Sequence, residues 1–188
     1  MIAELTRVRF SVSDYHRMGE VGILGPNDRV ELIDGEIVTM SAVGCLHAGT
    51  VNRLTSFLVR TLGDRAVVSV QNPVQLSDDT EPEPDLAVLL PRDDFYSTAH
   101  PLPPDVLLLI EVGDSSFLAD RRSKLPRYAR AGIRETWLAN LEAGAVERHT
   151  NPDDSGYRDV VTLRRGQRLA STVVAGLTLA GDQILGPA

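Results

Sequence analysis

The pattern of apolar and polar residues divides the chain into short strands and two longer helical segments. Residues 86–90 and 106–110 form unbroken apolar runs. Runs of this length, bounded by turn residues, are typical of strands that are buried on both faces of a sheet. Asp85 stands directly before the first run, and Glu111 directly follows the second. The pattern therefore predicts two core strands, each with a carboxylate at one end.

A β-hairpin is predicted near the N-terminus. Residues 29–33 and 36–40 are two mainly apolar segments that flank Asp34-Gly35. An Asp-Gly pair between such segments favours a tight hairpin turn, because both turn residues must adopt positive φ angles.

The remaining segments predict helices packed on a mixed sheet. Residues 47–62 have apolar side chains at helical spacing and end at Gly63, and residues 115–131 predict a second helix that begins or kinks near Pro126. Further strands are predicted at residues 66–70, 135–139, 146–150 and 157–163, with residues 73–76 as a continuation of the first of these. Strands before and after helices indicate an α/β (α+β) fold with a mixed central sheet flanked by helices, and additional N-terminal and C-terminal hairpins. The tail from Gln167 has weak periodicity and receives no assignment.

Length and composition suit one domain, residues 1–188. The chain is 43% hydrophobic and 24% charged, which is ordinary for a globular protein. Its N-terminus lacks a signal-peptide pattern, and no apolar run reaches the roughly 20 residues that cross a bilayer. The single cysteine, Cys45, excludes an intrachain disulfide. We therefore expect a cytoplasmic protein that does not insert into membranes.

The formal net charge of −7 excludes a protein whose whole surface binds nucleic acid. Any such contact must use a local basic patch or metal ions. Lys124 is the sole lysine of the chain, and arginines surround it. The candidate phosphate-binding residues are Arg121, Arg122 and Arg127, with Arg130 and Arg134 nearby. Arginines on a solvated helix face are the alternative interpretation.

Asp85 and Glu111 can meet at one end of the sheet if their strands are neighbours. Two carboxylates at ~4 Å repel by about 4 kcal/mol at an effective dielectric near 20, so the pair requires a cation. A divalent metal ion or Lys124 would supply the positive charge. The residues alone leave open a metal site and a buried Glu111–Lys124 ion pair kept for stability.

Several stretches of the chain, taken together, resemble the Uma2 family of endonucleases, also termed DUF820. The stretches are Glu31-Leu-Ile-Asp-Gly-Glu-Ile-Val-x-Met40, His47, Pro84-Asp85, Ile110-Glu111-Val112, and Asp120-x3-Lys124-Leu-Pro-x-Tyr128-Ala-x-Ala-Gly132-Ile-x-Glu135-x-Trp137-Leu138. The resemblance extends over about residues 10–180. It implies the PD-(D/E)XK restriction-endonuclease-like fold and an endonuclease that cleaves DNA.

The resemblance implies that Asp85 and Glu111 bind the metal and that Lys124 is the catalytic lysine. Two residues after Glu111, where the nuclease superfamily places lysine, this chain has Gly113. Lys124 on the following helix would then take that role. Two carboxylates suit Mg²⁺, with Mn²⁺ as an alternative, because these ions prefer oxygen ligands. A homodimer would suit the cleavage of two strands.

Four further residues are candidate supporting groups: Glu31, Glu36, His47 and Tyr128. A solvated strand face is the main alternative for the two glutamates, and a helix-start position without chemistry is the alternative for His47. Tyr128 lies one helical turn after Lys124 and would position it or simply pack. We expect Glu81 and Glu83 to face water, and His16, His100 and His149 to lie at the surface.

Two other functions remain open on the sequence alone. A catalytically silent relative would bind nucleic acid or a protein partner without cleaving it. A hydrolase of another phosphate-containing substrate would use the same acidic residues. Metal affinity and DNA binding distinguish these alternatives from a nuclease.

Overall fold

The computed structural model describes residues 7–113 and 121–186. The helices in this part are α1 (Val12–Glu20), α2 (Cys45–Leu62), α3 (Leu125–Arg130) and α4 (Gly181–Leu185). The strands are β1 (Val30–Ile33), β2 (Glu36–Thr39), β3 (Val67–Val70), β4 (Leu86–Leu89), β5 (Val106–Gly113), β6 (Glu135–Asn140), β7 (Ala145–Asp153), β8 (Gly156–Arg164), β9 (Arg168–Ala170) and β10 (Thr178–Ala180). Among the described residues, no helix is long and apolar enough to span a membrane.

A six-stranded mixed sheet forms the centre of the fold, in the order β3-β4-β5-β6-β7-β8. β5 and β6 run parallel, and the other neighbouring pairs are antiparallel. The connection between the parallel pair contains α3, as a crossover between parallel strands requires. The predicted fold class, a mixed central sheet flanked by helices, is confirmed, and the predicted C-terminal hairpin is the β7–β8 end of this sheet.

β4 and β5 are buried on both faces, as their apolar runs predict. Side chains such as Leu86 and Ile110 point to the face that α2 covers. Alternate residues such as Ala87 and Leu109 point to the opposite face, where Tyr128 of α3 packs. Because neither face meets water, a carboxylate at the end of either strand emerges from an apolar environment.

The N-terminal hairpin forms at the predicted Asp34-Gly35 turn, with Ile33 paired to Glu36. The φ angles are 48° at Asp34 and 74° at Gly35, as a type I′ turn requires. A Cβ atom at Gly35 would lie 2.7 Å from the Cβ of Arg9. Glycine is therefore required there by both conformation and space.

Three segments refine the expectations from sequence. Residues 73–76 do not continue β3: the backbone N–H of Val74 donates to Pro82 O instead. The predicted helix over residues 115–131 lies partly outside the described residues. Residues 121–123 are helical, Lys124 forms a turn, and α3 starts at Leu125, so the break falls next to Pro126 as expected. The unassigned tail forms β9, β10 and α4.

Candidate functional site

Antiparallel pairing of β4 and β5 brings Asp85 and Glu111 together. Leu86 is paired with Ile110 in the antiparallel register, so Asp85, which precedes Leu86, lies beside Glu111, which follows Ile110. The backbone N–H of Asp85 donates to Glu111 Oε2 at 3.4 Å, and the N–H of Val112 donates to Asp85 Oδ2 at 2.8 Å. Backbone hydrogen bonds therefore fix the position of both carboxylates before any ligand binds.

The side chain of Lys124 is buried beside these acids. Its Nζ lies 3.5 Å from Glu111 Oε1 and 3.2 Å from Glu31 Oε2, and it donates to the carbonyl oxygen of Glu83 at 3.3 Å. The turn at Lys124, between the helical residues 121–123 and α3, directs this side chain toward the end of β5. The structure thus assembles the acid, acid and lysine that the sequence singles out.

An open pocket of about 240 Å³ exposes this assembly to solvent. Its lining includes four carboxylates, those of Glu31, Glu83, Asp85 and Glu111. The basic or titratable lining residues are Arg29, His47 and Lys124. Residues 38–43 form the wall contributed by the N-terminal hairpin and the loop that follows it.

Glu31 and Glu83 correct the expectation from sequence. Glu31 is 7% exposed, and its Oε2 accepts the backbone N–H of Glu83 at 3.1 Å in addition to its contact with Lys124. Glu83 is half-buried, and both side chains face the pocket. A solvated strand face for Glu31 is wrong, because the segment around Glu83 folds over that face of the hairpin.

His47 contacts Asp85 directly from the first turn of α2. Its Nε2 lies 2.9 Å from Asp85 Oδ1. This hydrogen bond raises the pKa of His47 above its usual value, although partial burial opposes the shift. His47 therefore orients one oxygen of Asp85 while the backbone of Val112 holds the other.

Tyr128 positions an acid. The Tyr128 hydroxyl donates to Glu111 Oε1 at 2.5 Å, and the ring is fully buried on the α3 face of the sheet. A charge-assisted hydrogen bond of this kind is stronger than a neutral one. Tyr128 consequently fixes the rotamer of Glu111, whose Oε1 also faces the ammonium group of Lys124.

Besides Tyr128, four candidates lie outside the pocket lining. Glu36 is exposed and lies 3.5 Å from Arg9. Arg121 lies 3.5 Å from Glu147, and Arg122 is exposed. Arg127 donates to the Oδ2 of Asp34 at 2.5 Å and thereby ties α3 to the hairpin turn. That contact lowers the pKa of Asp34.

Sequence reasoning missed two residues at the pocket. Arg29 lines it from the residue before β1. Gln71 donates its side-chain amide to Asp85 Oδ1 at 3.3 Å and its backbone N–H to Asp85 O. Gln71 has a φ angle of 50°, which is uncommon for a residue other than glycine. Nothing in the local sequence marks either residue.

His149 also differs from expectation. It is 4% exposed, on β7, and its Nε2 lies 2.9 Å from Glu147 Oε2. Burial lowers the pKa of His149. The prediction of a surface position is wrong for this histidine, which packs against the ring of Tyr157.

The donor set of the pocket fits a hard divalent cation. All four acids offer oxygen ligands, as Mg²⁺ and Mn²⁺ prefer. Four carboxylates line the pocket with only one lysine and one arginine among its described residues, so negative charge is in excess there, and burial together with the charge of Glu31 raises the pKa of Glu83. Burial and the charges of Glu83, Glu81 and Glu31 likewise raise the pKa of Tyr15 to about 12. Additional positive charge would relieve this repulsion.

The whole fold is similar to a solved structure. A protein from Anabaena variabilis, described as "a putative nuclease belonging to DUF820", superposes with a TM-score of 0.70 at 12% sequence identity. The alignment covers 94% of this chain and 97% of that one. At this identity the likeness establishes the fold alone. No curated protein matches the sequence.

The sequence itself matches one family over most of its length. The matching family is Uma2, described as "Putative restriction endonuclease", and the match covers residues 12–181. That span contains the hairpin, the whole central sheet and every residue of the acidic pocket. The chain therefore belongs to the Uma2 family.

Proposed function

We propose that this chain is a metal-dependent endonuclease that hydrolyses phosphodiester bonds of DNA. Asp85 and Glu111 would hold Mg²⁺, which Mn²⁺ could replace, and Lys124 would be the catalytic lysine. The observation that carries the proposal is the convergence of these three side chains in one solvent-open pocket, with Glu31 and Glu83 adding further negative charge. The family description and the nuclease-like neighbour support it.

Each part of the pocket has a distinct role in this proposal. A bound divalent ion would acidify a water molecule and neutralise charge on the phosphoryl oxygens. The ammonium group of Lys124 would donate hydrogen bonds to a phosphoryl oxygen or to the attacking water. Val112, His47 and Tyr128 hold the two acids in place through the hydrogen bonds described above, so little reorganisation accompanies substrate binding.

Arg122 is the best-placed residue for a contact with the DNA backbone outside the pocket. It is exposed and directly precedes Ser123, which lines the pocket. Arg121 forms an ion pair with Glu147, and Arg127 donates to Asp34. Both arginines therefore have fewer N–H groups available for a phosphate. Because this patch is small, few phosphates are neutralised, and salt also screens the repulsion between DNA and the net charge of −7, so cleavage should fall only shallowly as salt rises.

Nicking of supercoiled plasmid tests the proposal. The purified protein is assayed with Mg²⁺ or Mn²⁺, and with a chelator as the negative control. Asp85→Asn and Lys124→Met remove the proposed metal ligand and the proposed catalytic group with little change of volume. Asp159→Asn is the matched control, because this acid is exposed on β8 at the far edge of the sheet.

The expected result is metal-dependent nicking by the wild type and by Asp159→Asn, and none by the other two variants. Equal nicking by all four proteins would show a contaminating nuclease and would contradict the proposal. Metal binding without nicking or DNA binding would favour a different phosphate-containing substrate. Absence of metal binding would favour a silent relative.

A further inference from the structure

A second cluster of ligand side chains lies outside the acidic pocket. His16 of α1, Glu81 of the segment that pairs with Leu32, and His100 of the loop before β5 come together from three separate parts of the chain. One ligand atom from each of the three lies within 4.8 Å of the others. No other group of three or more such residues meets this criterion in the described part of the chain.

The carboxylate of Glu81 is buried and incompletely satisfied. Glu81 is 2% exposed, and its Oε1 lies 2.7 Å from His16 Nε2. Its Oε2 is also buried, and it accepts no hydrogen bond from the residues that the structure describes. A buried carboxylate oxygen without a donor is costly, and native proteins rarely keep one without a functional or ligand-related reason. This atom therefore points independently to a missing positive partner.

The two imidazole rings are arranged beside this carboxylate. The ring centroids of His16 and His100 lie 5.6 Å apart in an edge-to-face arrangement. Both rings line an open pocket of about 440 Å³, which shares no lining residue with the acidic pocket around Asp85. An ion could enter from solvent without disturbing the site proposed for DNA cleavage.

We propose that His16, Glu81 and His100 bind one divalent transition-metal ion of the Zn²⁺ class. Two imidazoles and one carboxylate are a common ligand set for Zn²⁺, whereas Mg²⁺ takes oxygen ligands. A simple His16–Glu81 ion pair would explain the contact of Glu81 Oε1. It would not explain why Glu81 Oε2 is buried without a hydrogen bond, or why His100 lies beside His16. A bound ion accounts for all three observations.

The ion would act as a structural clamp. It would join α1 and the loop that carries His100 to the segment whose next acid, Glu83, lines the acidic pocket. Because the unfolded chain does not hold these three residues together, the ion would stabilise the folded state selectively. The clamp is independent of the proposed nuclease chemistry, so either proposal can fail without the other.

Zinc titration of the chelator-stripped protein tests the inference. All proteins carry Cys45→Ser, which removes the exposed thiol that could bind zinc by itself. Binding is measured by calorimetry with Zn²⁺ alone, and Co²⁺ absorption reports the ligand set. His16→Gln, His100→Gln and Glu81→Gln remove one ligand each. Asp85→Asn is the matched control, because it alters the other pocket.

Because the acidic pocket can also bind Zn²⁺, the cluster is counted in Asp85→Asn, where we expect one zinc ion per chain and a higher melting temperature with zinc. Loss of a residue that only supports a metal ligand lowers metal affinity about 10- to 100-fold. Each of the three ligand variants should lower zinc affinity by more than that. Asp85→Asn should retain the site, and His16→Gln should nick plasmid as the wild type does. Absence of zinc binding by Asp85→Asn would overturn the inference. So would His16→Gln and His100→Gln proteins that bind as many zinc ions as the wild type. If Glu81→Gln fails to fold, His16→Gln and His100→Gln still test the inference, because these two side chains line an open pocket.

Discussion

Two of the places where the described residues bury carboxylates have surroundings that differ in kind. Glu135 on β6 is fully buried, and its Oε1 accepts the indole N–H of Trp137 at 2.6 Å. Its Oε2 accepts the backbone N–H groups of Thr172 and Val173 at 2.7 and 3.1 Å, and the hydroxyl groups of Ser171 and Thr172 at 3.1 and 2.6 Å. All of these donors are neutral, and those of residues 171–173 attach the C-terminal segment to the sheet.

The acidic pocket presents the opposite arrangement. Glu31 and Glu111 share the ammonium group of Lys124, while Glu83 lies close enough to Glu31 for the two charges to repel. The pocket opens to solvent, whereas Glu135 is enclosed.

The difference separates a structural carboxylate from a ligand-binding one. A buried charge with a complete set of fixed donors stabilises one conformation and has no capacity left for a ligand. Several acids around one lysine leave a negative electrostatic potential, and a further cation would stabilise them. Neutralising Glu135 should therefore destabilise the fold, whereas neutralising a pocket acid should reduce activity with little loss of stability.

The largest expected effect is that of Glu135→Gln. The amide NH₂ would face donors such as Trp137 Nε1 or the backbone N–H of Thr172, so several buried groups would lose their acceptor. We expect the free energy of unfolding to fall by about 3 kcal/mol or more, because each buried donor left without an acceptor costs about 1 to 3 kcal/mol. For a chain of this size, that corresponds to a melting temperature lower by more than roughly 6 °C.

Urea and thermal unfolding measure this change. Glu142→Gln is the matched control, because Glu142 is exposed in the turn after β6, and it should be close to neutral. Unchanged stability of Glu135→Gln would mean that water can replace the carboxylate, and the distinction between the two regions would fail.

Asp85→Asn, in the acidic pocket, should reduce activity with little effect on stability, unlike Glu135→Gln. We expect plasmid nicking to fall about 100-fold or more, equivalent to about 2.7 kcal/mol of barrier. Stability in the presence of a chelator should change by less than about 1 kcal/mol. The asparagine carbonyl can still accept the Val112 N–H, and its amide can donate to neutral His47.

Nicking and unfolding are measured on the same preparation of this variant. Loss of nicking together with a large loss of stability would assign Asp85 to the structural class. Retained nicking would show that Asp85 is not a ligand of the catalytic metal ion.

The fold was largely predictable because its strongest signals are local. The apolar runs before Glu111 and after Asp85 identify two doubly buried strands, and the Asp34-Gly35 pair fixes the hairpin. The tail after Gln167 was not predictable, since β9 and β10 have three residues each and the segment between them is held by Glu135, some 36 or more positions earlier. Strands this short leave no periodic pattern in the sequence, and a contact with so distant a residue leaves no local signal.

The site was predictable where strand pairing alone sets it. Adjacent strands bring Asp85 to Glu111, and the resemblance to Uma2 adds Lys124. Burial of Glu31 was not predictable, because it depends on how the segment around Glu83 crosses the hairpin. The contact of His47 with Asp85 likewise depends on the angle at which α2 lies on the sheet.

The smallest expected effect is a gain of stability in Glu83→Gln. Burial and the charge of Glu31 raise the pKa of Glu83 above its ordinary value of 4.5. The folded protein therefore binds this proton more tightly than the unfolded chain does, and the ionised carboxylate costs stability at neutral pH. The cost is present above the folded-state pKa and disappears as pH falls through that value toward 4.5. Glutamine removes the charge, so the variant should be more stable at pH 7 by less than about 1 kcal/mol.

Urea unfolding in chelator, from pH 7 down to pH 4.5, measures how this difference depends on pH. The advantage of Glu83→Gln over the wild type should shrink as pH falls, because the wild-type carboxyl becomes neutral as well. Glu142→Gln, with its exposed side chain, should show no such trend. A loss of stability at pH 7 would show that the charge of Glu83 is needed to hold Lys124, whose ammonium donates to the backbone of the same residue. Glu83 would then belong with Glu135 among the structural acids, and the excess of negative charge that favours a metal ion in the pocket would be smaller by one carboxylate.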